Sequence, residues 1–217
     1  MPYFHKDNIN LLLIHIPKTG GSSLEKYFSK KYQIPLNDTS LFTLRKKFQG
    51  VSYQHQTYNS IMTHFVPKMQ GFYKQEDLSI LTIVRNPYHR IVSDLFFFNY
   101  INKNSNPSQS QVFDAINSKY LNQFGNHDNH KRPQYQFVID QQTGKLIDKL
   151  IILKTETLTK DMHQLAYTDF NIKTQSSHIN KDYMSFLNKD SIQLINRAYY
   201  KDFQYFGYEM LGRTSDF

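Results

Sequence analysis

Residues 14–28 read IHIPKTGGSSLEKYF. An apolar run ends at Pro17, a turn carries Lys18, Gly20 and Gly21, and hydroxyl residues follow. Residues 11–16 are apolar apart from His15, which predicts a short parallel strand covered on both faces. From Ser22 onward, Leu24, Tyr27 and Phe28 recur at helical spacing, and Ser22 or Ser23 is expected to cap the helix. Each part of this strand–turn–helix suits an anion. Two glycines allow close backbone approach and positive φ. The N–H groups at a helix start point outward, where the dipole also favours negative charge. Thr19, Ser22 and Ser23 add hydroxyl donors, and Lys18 adds a cation. Lys18 precedes the glycines, so this is not the Walker A order, and magnesium-assisted nucleotide hydrolysis is disfavoured.

Working outward, residues 81–98 read LTIVRNPYHRIVSDLFFF. A buried strand is predicted over 78–84, with Pro87 in the first turn of the next helix. Arg85 then stands at the carboxyl end of a strand, where ligands of open α/β sheets collect, and Ser93 lies two turns into the helix. Arg85 can fork two donors onto a phosphate. Further strands are expected over 61–65 and 150–153, and helices over 112–124, 158–165 and 191–206, the last stopped by Gly207. Residues 102–110 and 125–133 read as loops. Strands alternating with helices predict an α/β fold, P-loop-like and three-layered, with a mainly parallel central sheet flanked by helices. The 217 residues suit a single domain, 1–217.

The chain has 17 Phe and 16 Tyr but no Cys, so no disulfide and no oxidising compartment is required. No segment approaches the ~18 apolar residues of a membrane span. Asp7, Asn8 and Asn10, not basic residues, precede the first apolar run, so no signal peptide is expected and the expected location is cytoplasmic. The formal net charge of +8 favours anionic partners. It is spread along the chain without a nucleic-acid reading element, so no nucleic acid is expected.

HIPKTGGSSL (15–24) and TIVRNPYHRIVSDLFF (82–97) together resemble the two phosphate-binding elements of carbohydrate sulfotransferases dependent on 3′-phosphoadenosine 5′-phosphosulfate (PAPS). The likeness is to the group containing the heparan sulfate 2-O- and 6-O-sulfotransferases and their bacterial and viral relatives. RPQYQFV (132–138), LIILKTETL (150–158) and YYKDFQYFGY (199–208) look like looser family blocks. Ser22 stands where the family commonly has Thr, which keeps the hydroxyl. The resemblance implies that Pro17, Lys18, Thr19, Gly20, Gly21, Ser22 and Ser23 hold the 5′-phosphosulfate and that Arg85 and Ser93 hold the 3′-phosphate. It implies PAPS as co-substrate, no metal, and a carbohydrate acceptor, anionic glycans included.

Sulfuryl transfer asks for in-line geometry and stabilisation of the leaving oxygen, by analogy with phosphoryl transfer. Lys18 is the candidate for that stabilisation. A hydroxyl acceptor needs a base, and His suits it. Of nine histidines, His64 is the candidate: it ends the strand expected over 61–65 and resembles the family's catalytic His between the two elements. Glu156 is the runner-up. His15 is expected to orient backbone, and His127 with His130 gives only a faint metal pattern. Arg132 is a candidate contact to PAPS or acceptor, and Lys30, Lys31, Lys46 and Lys47 are candidates for a glycan-facing wall. The alternatives are a P-loop kinase or NTPase and a basic, non-enzymatic nucleic-acid binder.

Overall fold

A computed structural model describes residues 2–37, 46–68, 77–102, 105–122, 125, 127–171 and 182–212. Two compact units emerge: Met1–Val84 with Asn126–Ile172, and Arg85–Gly125 with Lys173–Phe217.

The first unit is built on a four-stranded sheet of order β1-β2-β5-β6. Strand β1 (Tyr3–Lys6) turns through Asp7 and Asn8 and pairs antiparallel with β2 (Ile9–Ile14). Strands β5 (Ser79–Val84) and β6 (Leu150–Lys154) extend the sheet in parallel. The α/β expectation holds: a mixed, mostly parallel sheet flanked by helices. Leu11 and Leu13 point to one face, Leu12 and Ile14 to the other, and all four are buried, as an uninterrupted apolar run requires.

Helix α1 (Gly21–Tyr32) lays Leu24 and Phe28 on one face of that sheet beside Phe4, Leu81, Ile83 and Leu153. Phe28 stacks on Tyr32 and meets Phe4 edge-on, so aromatic rings fill a core that has no Trp. A small hairpin follows, β3 (Lys47–Phe48) with β4 (Val51–Ser52). Gln49 and Gly50 both take positive φ, as a two-residue hairpin turn demands. The chain then makes a 3₁₀ turn, Tyr53–His55.

The strand expected over 61–65 is not there. Helix α2 (Tyr58–Ser60), capped by the Thr57 side chain, widens into a π turn, Ile61–Phe65. Ile61 and Phe65 are buried four residues apart, a helical spacing that a five-residue apolar window reads equally well as a strand. Helix α5 (Tyr135–Val138) and α6 (Leu158–Gln164) complete this unit, with Leu158 and Met162 in the sheet-side core.

The second unit is helical. In α3 (Pro87–Phe97) Pro87 opens the first turn and the Asn86 side chain accepts from Tyr88 N. Helix α4 (Gln109–Asp114) starts in a Ser108–Gln111 capping box and continues as a π turn, Ala115–Leu121, within the helix expected over 112–124, whose last residues lie outside the described ones. The helix expected over 191–206 is two, α7 (Lys189–Ala198) and α8 (Tyr200–Phe206), broken at Tyr199 without Gly or Pro. Gly207 takes φ 63° and ends α8 as expected. Ile91, Val92, Leu95, Phe96, Ile195 and Phe203 make the core of this unit. Buried in it, Tyr120 donates its hydroxyl to Asp94 at 2.6 Å.

Candidate active site

Strand β2 ends at Ile14, and the next six residues bend into α1 without forming a cap. Gly20 is the N-cap, at φ 97°, and has no side chain with which to cap the first turn. The first turn also has no acidic residue. Ser22 and Ser23, expected as caps, sit instead inside the first turn, Ser22 exposed and Ser23 half-buried. The helix start therefore carries no carboxylate and no cap oxygen where an anion would lie.

Only one of the two glycines is there for positive φ. Gly21 is needed for space: a Cβ built on it would lie 2.7–2.8 Å from atoms of the His15 ring. Lys18 is the other left-handed residue of the loop, at φ 65°, and it is half-buried. Thr19 is buried, and its hydroxyl donates to Ile16 O at 2.8 Å, so it folds the loop. Thr155, just past β6, donates to Thr19 O at 2.6 Å and Val84 O at 3.1 Å. That hydroxyl ties the loop to the carboxyl ends of two strands, a role hidden from the sequence because 136 residues separate the partners.

Beneath the loop lies a polar cluster. His15 donates Nδ1–H to Glu25, and Gln54 Nε2 donates to the two Glu25 oxygens at 2.8 and 3.1 Å. Glu25 is 1% exposed, His15 5% and Gln54 7%. His15 thus binds a side chain of α1 and does not orient backbone. Its ring meets His55 edge-on at 5.2 Å, and His55 meets His130 the same way at 5.2 Å. His55 Nδ1 donates to Asp128 Oδ2 at 2.8 Å, while Ser52 N donates to Oδ1. Asp128 sits in a turn where His127, Asp128 and Asn129 all have positive φ, at 43°, 55° and 64°. Such a run costs on the order of 1–2 kcal/mol per residue, and Asn129 helps hold it by donating to His55 O at 2.8 Å. The sequence signal was the Asn/Asp-rich stretch 126–129, residue types that tolerate this conformation.

A model of the sulfotransferase family matches residues 1–209. The chain belongs to the sulfotransferase family. No curated protein and no solved structure matches it. Membership makes this chain a sulfotransferase enzyme, and the family implies PAPS as sulfate donor. The kinase and nucleic-acid-binding alternatives give way to that finding.

The residues expected at the sulfotransferase's site fall in two groups. Pro17 to Ser23 stand together in the first unit, at the turn from β2 into α1. Arg85 and Ser93 belong to the second, Ser93 buried in α3 and the Arg85 guanidinium 4.8 Å over the Tyr183 ring. His64 lies on the π turn, not at a strand end, with its ring 4.7 Å from that of Phe48. Glu156 is exposed in the 3₁₀ turn Thr155–Thr157 after β6. Arg132 donates to Asn129 Oδ1 at 3.0 Å and Gln136 Oε1 at 3.2 Å. Lys46 and Lys47 are exposed; His178 lies outside the described residues. Sequence reasoning missed His55, Asp128, Glu25 and Gln54.

His55, Asp128 and His130 each offer a ligand atom, all within 4.8 Å of one another, so these three replace the His127–His130 pair as the set that could hold a metal. Both Asp128 oxygens already accept hydrogen bonds, so an ion bound by that carboxylate would share it with the His55 and Ser52 donors.

Burial pushes His55 down to about 4, an effect the Asp128 carboxylate offsets only in part. Burial alone would raise Asp128, but the bonds from His55 and Ser52 outweigh it and bring its carboxyl to about 2. At neutral pH the pair is a carboxylate accepting Nδ1–H from a neutral imidazole, and Nε2 carries the lone pair. Burial would also raise Glu25, but His15 and Gln54 together hold it below its ordinary value.

Two predictions follow from this cluster. Gly21→Ala should drive a methyl into His15 and lower stability by about 1–3 kcal/mol in urea unfolding, whereas Gly50→Ala, with open space at Cβ, keeps His15 and Glu25 in place. His55 binds its proton later in the folded chain than in the unfolded one. Stability is therefore fully present above pH 6.5 and falls as pH drops toward 4, by on the order of 3 kcal/mol. Thermal unfolding at stepped pH should show a shallower acid loss in His55→Gln than in the parent.

Proposed function

We propose that this sulfotransferase moves the sulfuryl group of PAPS to a hydroxyl of a carbohydrate, anionic glycans included, with residues 1–217 working as one cytoplasmic domain. The observation that carries the reading is the start of α1: no acidic residue, no capping side chain, Gly20 as N-cap and Lys18 in the preceding turn. Fixed N–H groups of that kind, with the helix dipole behind them, are what a phosphosulfate needs. Pro17 and Thr19 shape the turn, Gly20 and Gly21 let the anion approach, and Ser22 and Ser23 add hydroxyl donors. Arg85 and Ser93 take the 3′-phosphate, as their likeness to the family's second element implies.

The acceptor oxygen attacks sulfur as the bond from sulfur to the 5′-phosphate oxygen breaks. A sulfate ester, adenosine 3′,5′-bisphosphate and one proton result. Lys18 stabilises the charge gathering on the departing phosphate oxygen. A sulfuryl group carries less charge than a phosphoryl group, which is why one lysine serves where kinases use metal. The proton goes to a base. His55 is the stronger candidate on geometry, because Asp128 fixes its Nδ1–H and leaves Nε2 to accept, although burial makes it a weaker base than a free imidazole. His64 is the second reading, on its likeness to the family's catalytic His, and Glu156 the third.

Labelled-sulfate transfer from PAPS across a glycan panel tests this. Lys18→Ala should lower kcat by about 10²–10³. His55→Ala should lower it by about 10²–10⁴, with His64→Ala near the parent rate. Activity should survive chelation by EDTA. Full activity in His55→Ala with loss in His64→Ala would return the base to His64. Loss on chelation would overturn the metal-free step, and ATP bound more tightly than adenosine 3′,5′-bisphosphate would overturn the donor.

A further inference from the structure

Tyr183 opens a tight 3₁₀ turn, Tyr183–Phe186. The Asp182 side chain accepts from Met184 N at 3.0 Å, and Ser185 Oγ donates to Asp182 O at 2.7 Å. Phe186 is buried and meets Phe96 of α3 edge-on at 5.4 Å, anchoring the turn in the helical core. The turn holds the Tyr183 ring with the Arg85 guanidinium 4.8 Å from its centroid and the His89 ring at 5.7 Å. Tyr183, Arg85 and His89 lie in one unit. Arg85 itself directly precedes the Asn86–Pro87 start of α3.

A guanidinium over an aromatic ring is attracted by the ring's quadrupole, and its N–H donors lie in its own plane. Those in-plane donors recognise a phosphate two at a time. Stacking also removes rotamer freedom before the ligand arrives, so less is lost on binding. The phenol hydroxyl has no part in this, and any flat aromatic ring supplies it.

We infer that Tyr183 is a positioning residue that pre-sets Arg85 for the 3′-phosphate and so sets the preference for 3′-phosphorylated over plain adenosine nucleotides. The inference rests on the proposed role of Arg85 in holding the 3′-phosphate.

Binding of adenosine 3′,5′-bisphosphate and of adenosine 5′-monophosphate is measured by calorimetry on the full chain. The ratio of the two affinities is the readout, because a merely structural loss moves both ligands together. Tyr183→Leu should weaken the bisphosphate about tenfold and leave the monophosphate unchanged, whereas Tyr183→Phe should keep the parent ratio. Should Tyr183→Leu not fold, Tyr183→Met replaces it, with the same loss expected. An unchanged ratio in the Leu or Met variant, while Arg85→Ala collapses it, sinks the role of Tyr183. So does a Phe variant that loses the ratio, since the hydroxyl would then be the working group. An unchanged ratio in Arg85→Ala is a different failure: it removes the 3′-phosphate reading itself.

Discussion

Glu25 keeps a negative charge inside the protein, one turn into the helix whose start is the proposed phosphosulfate site. A buried carboxylate is costly unless it is fully bonded, and this one is bonded twice over, by the His15 imidazole and the Gln54 amide. The cost is repaid in position. His15 is pinned, and its ring lies where any side chain on residue 21 would go. The backbone of the loop is thereby held against a wall, and Gly20, the N-cap of α1, brings no side chain to the helix start. Removing Glu25 would leave the buried His15 and Gln54 donors without the acceptor they share.

The same cluster runs from the loop to the proposed base. His15 touches His55, and His55 is aimed by Asp128 from a turn that holds three consecutive left-handed residues. Strain of this kind persists only when surrounding bonds over-determine it, and here Ser52 N–H, His55 Nδ1–H and Asn129 supply those bonds. The hairpin β3–β4 explains why two of these groups arrive together: it delivers Ser52, Gln54 and His55 within four residues.

The strand–turn–helix at residues 11–28 and the strand, Asn86-Pro87 and helix at 78–97 were legible because each is a local pattern: an apolar run, a breaker, then helical spacing. The short strands β1, β3 and β4 were not, since two to four residues carry no period. The segment 61–65 misled for the same reason, Ile61 and Phe65 being apolar at a spacing that suits a strand or a helical turn. Glu25 and Asp128 were invisible as site residues. A Glu in a helix and an Asp in a polar loop look solvated until the fold brings His15 and His55 to them, and Asp128 lies 73 residues from its partner.

The formal charge of +8 pointed to an anionic partner but not to a place. What discriminates is how each charge is held. Lys31 pairs with Asp169 at 2.8 Å on the surface, a contact that water and salt weaken and that contributes little. Arg85 is half-buried, with its guanidinium over the Tyr183 ring. Lys18 sits in a left-handed turn that no β-branched residue would tolerate. Held in these ways, Lys18 and Arg85 are placed by backbone and packing, which the charge alone does not reveal.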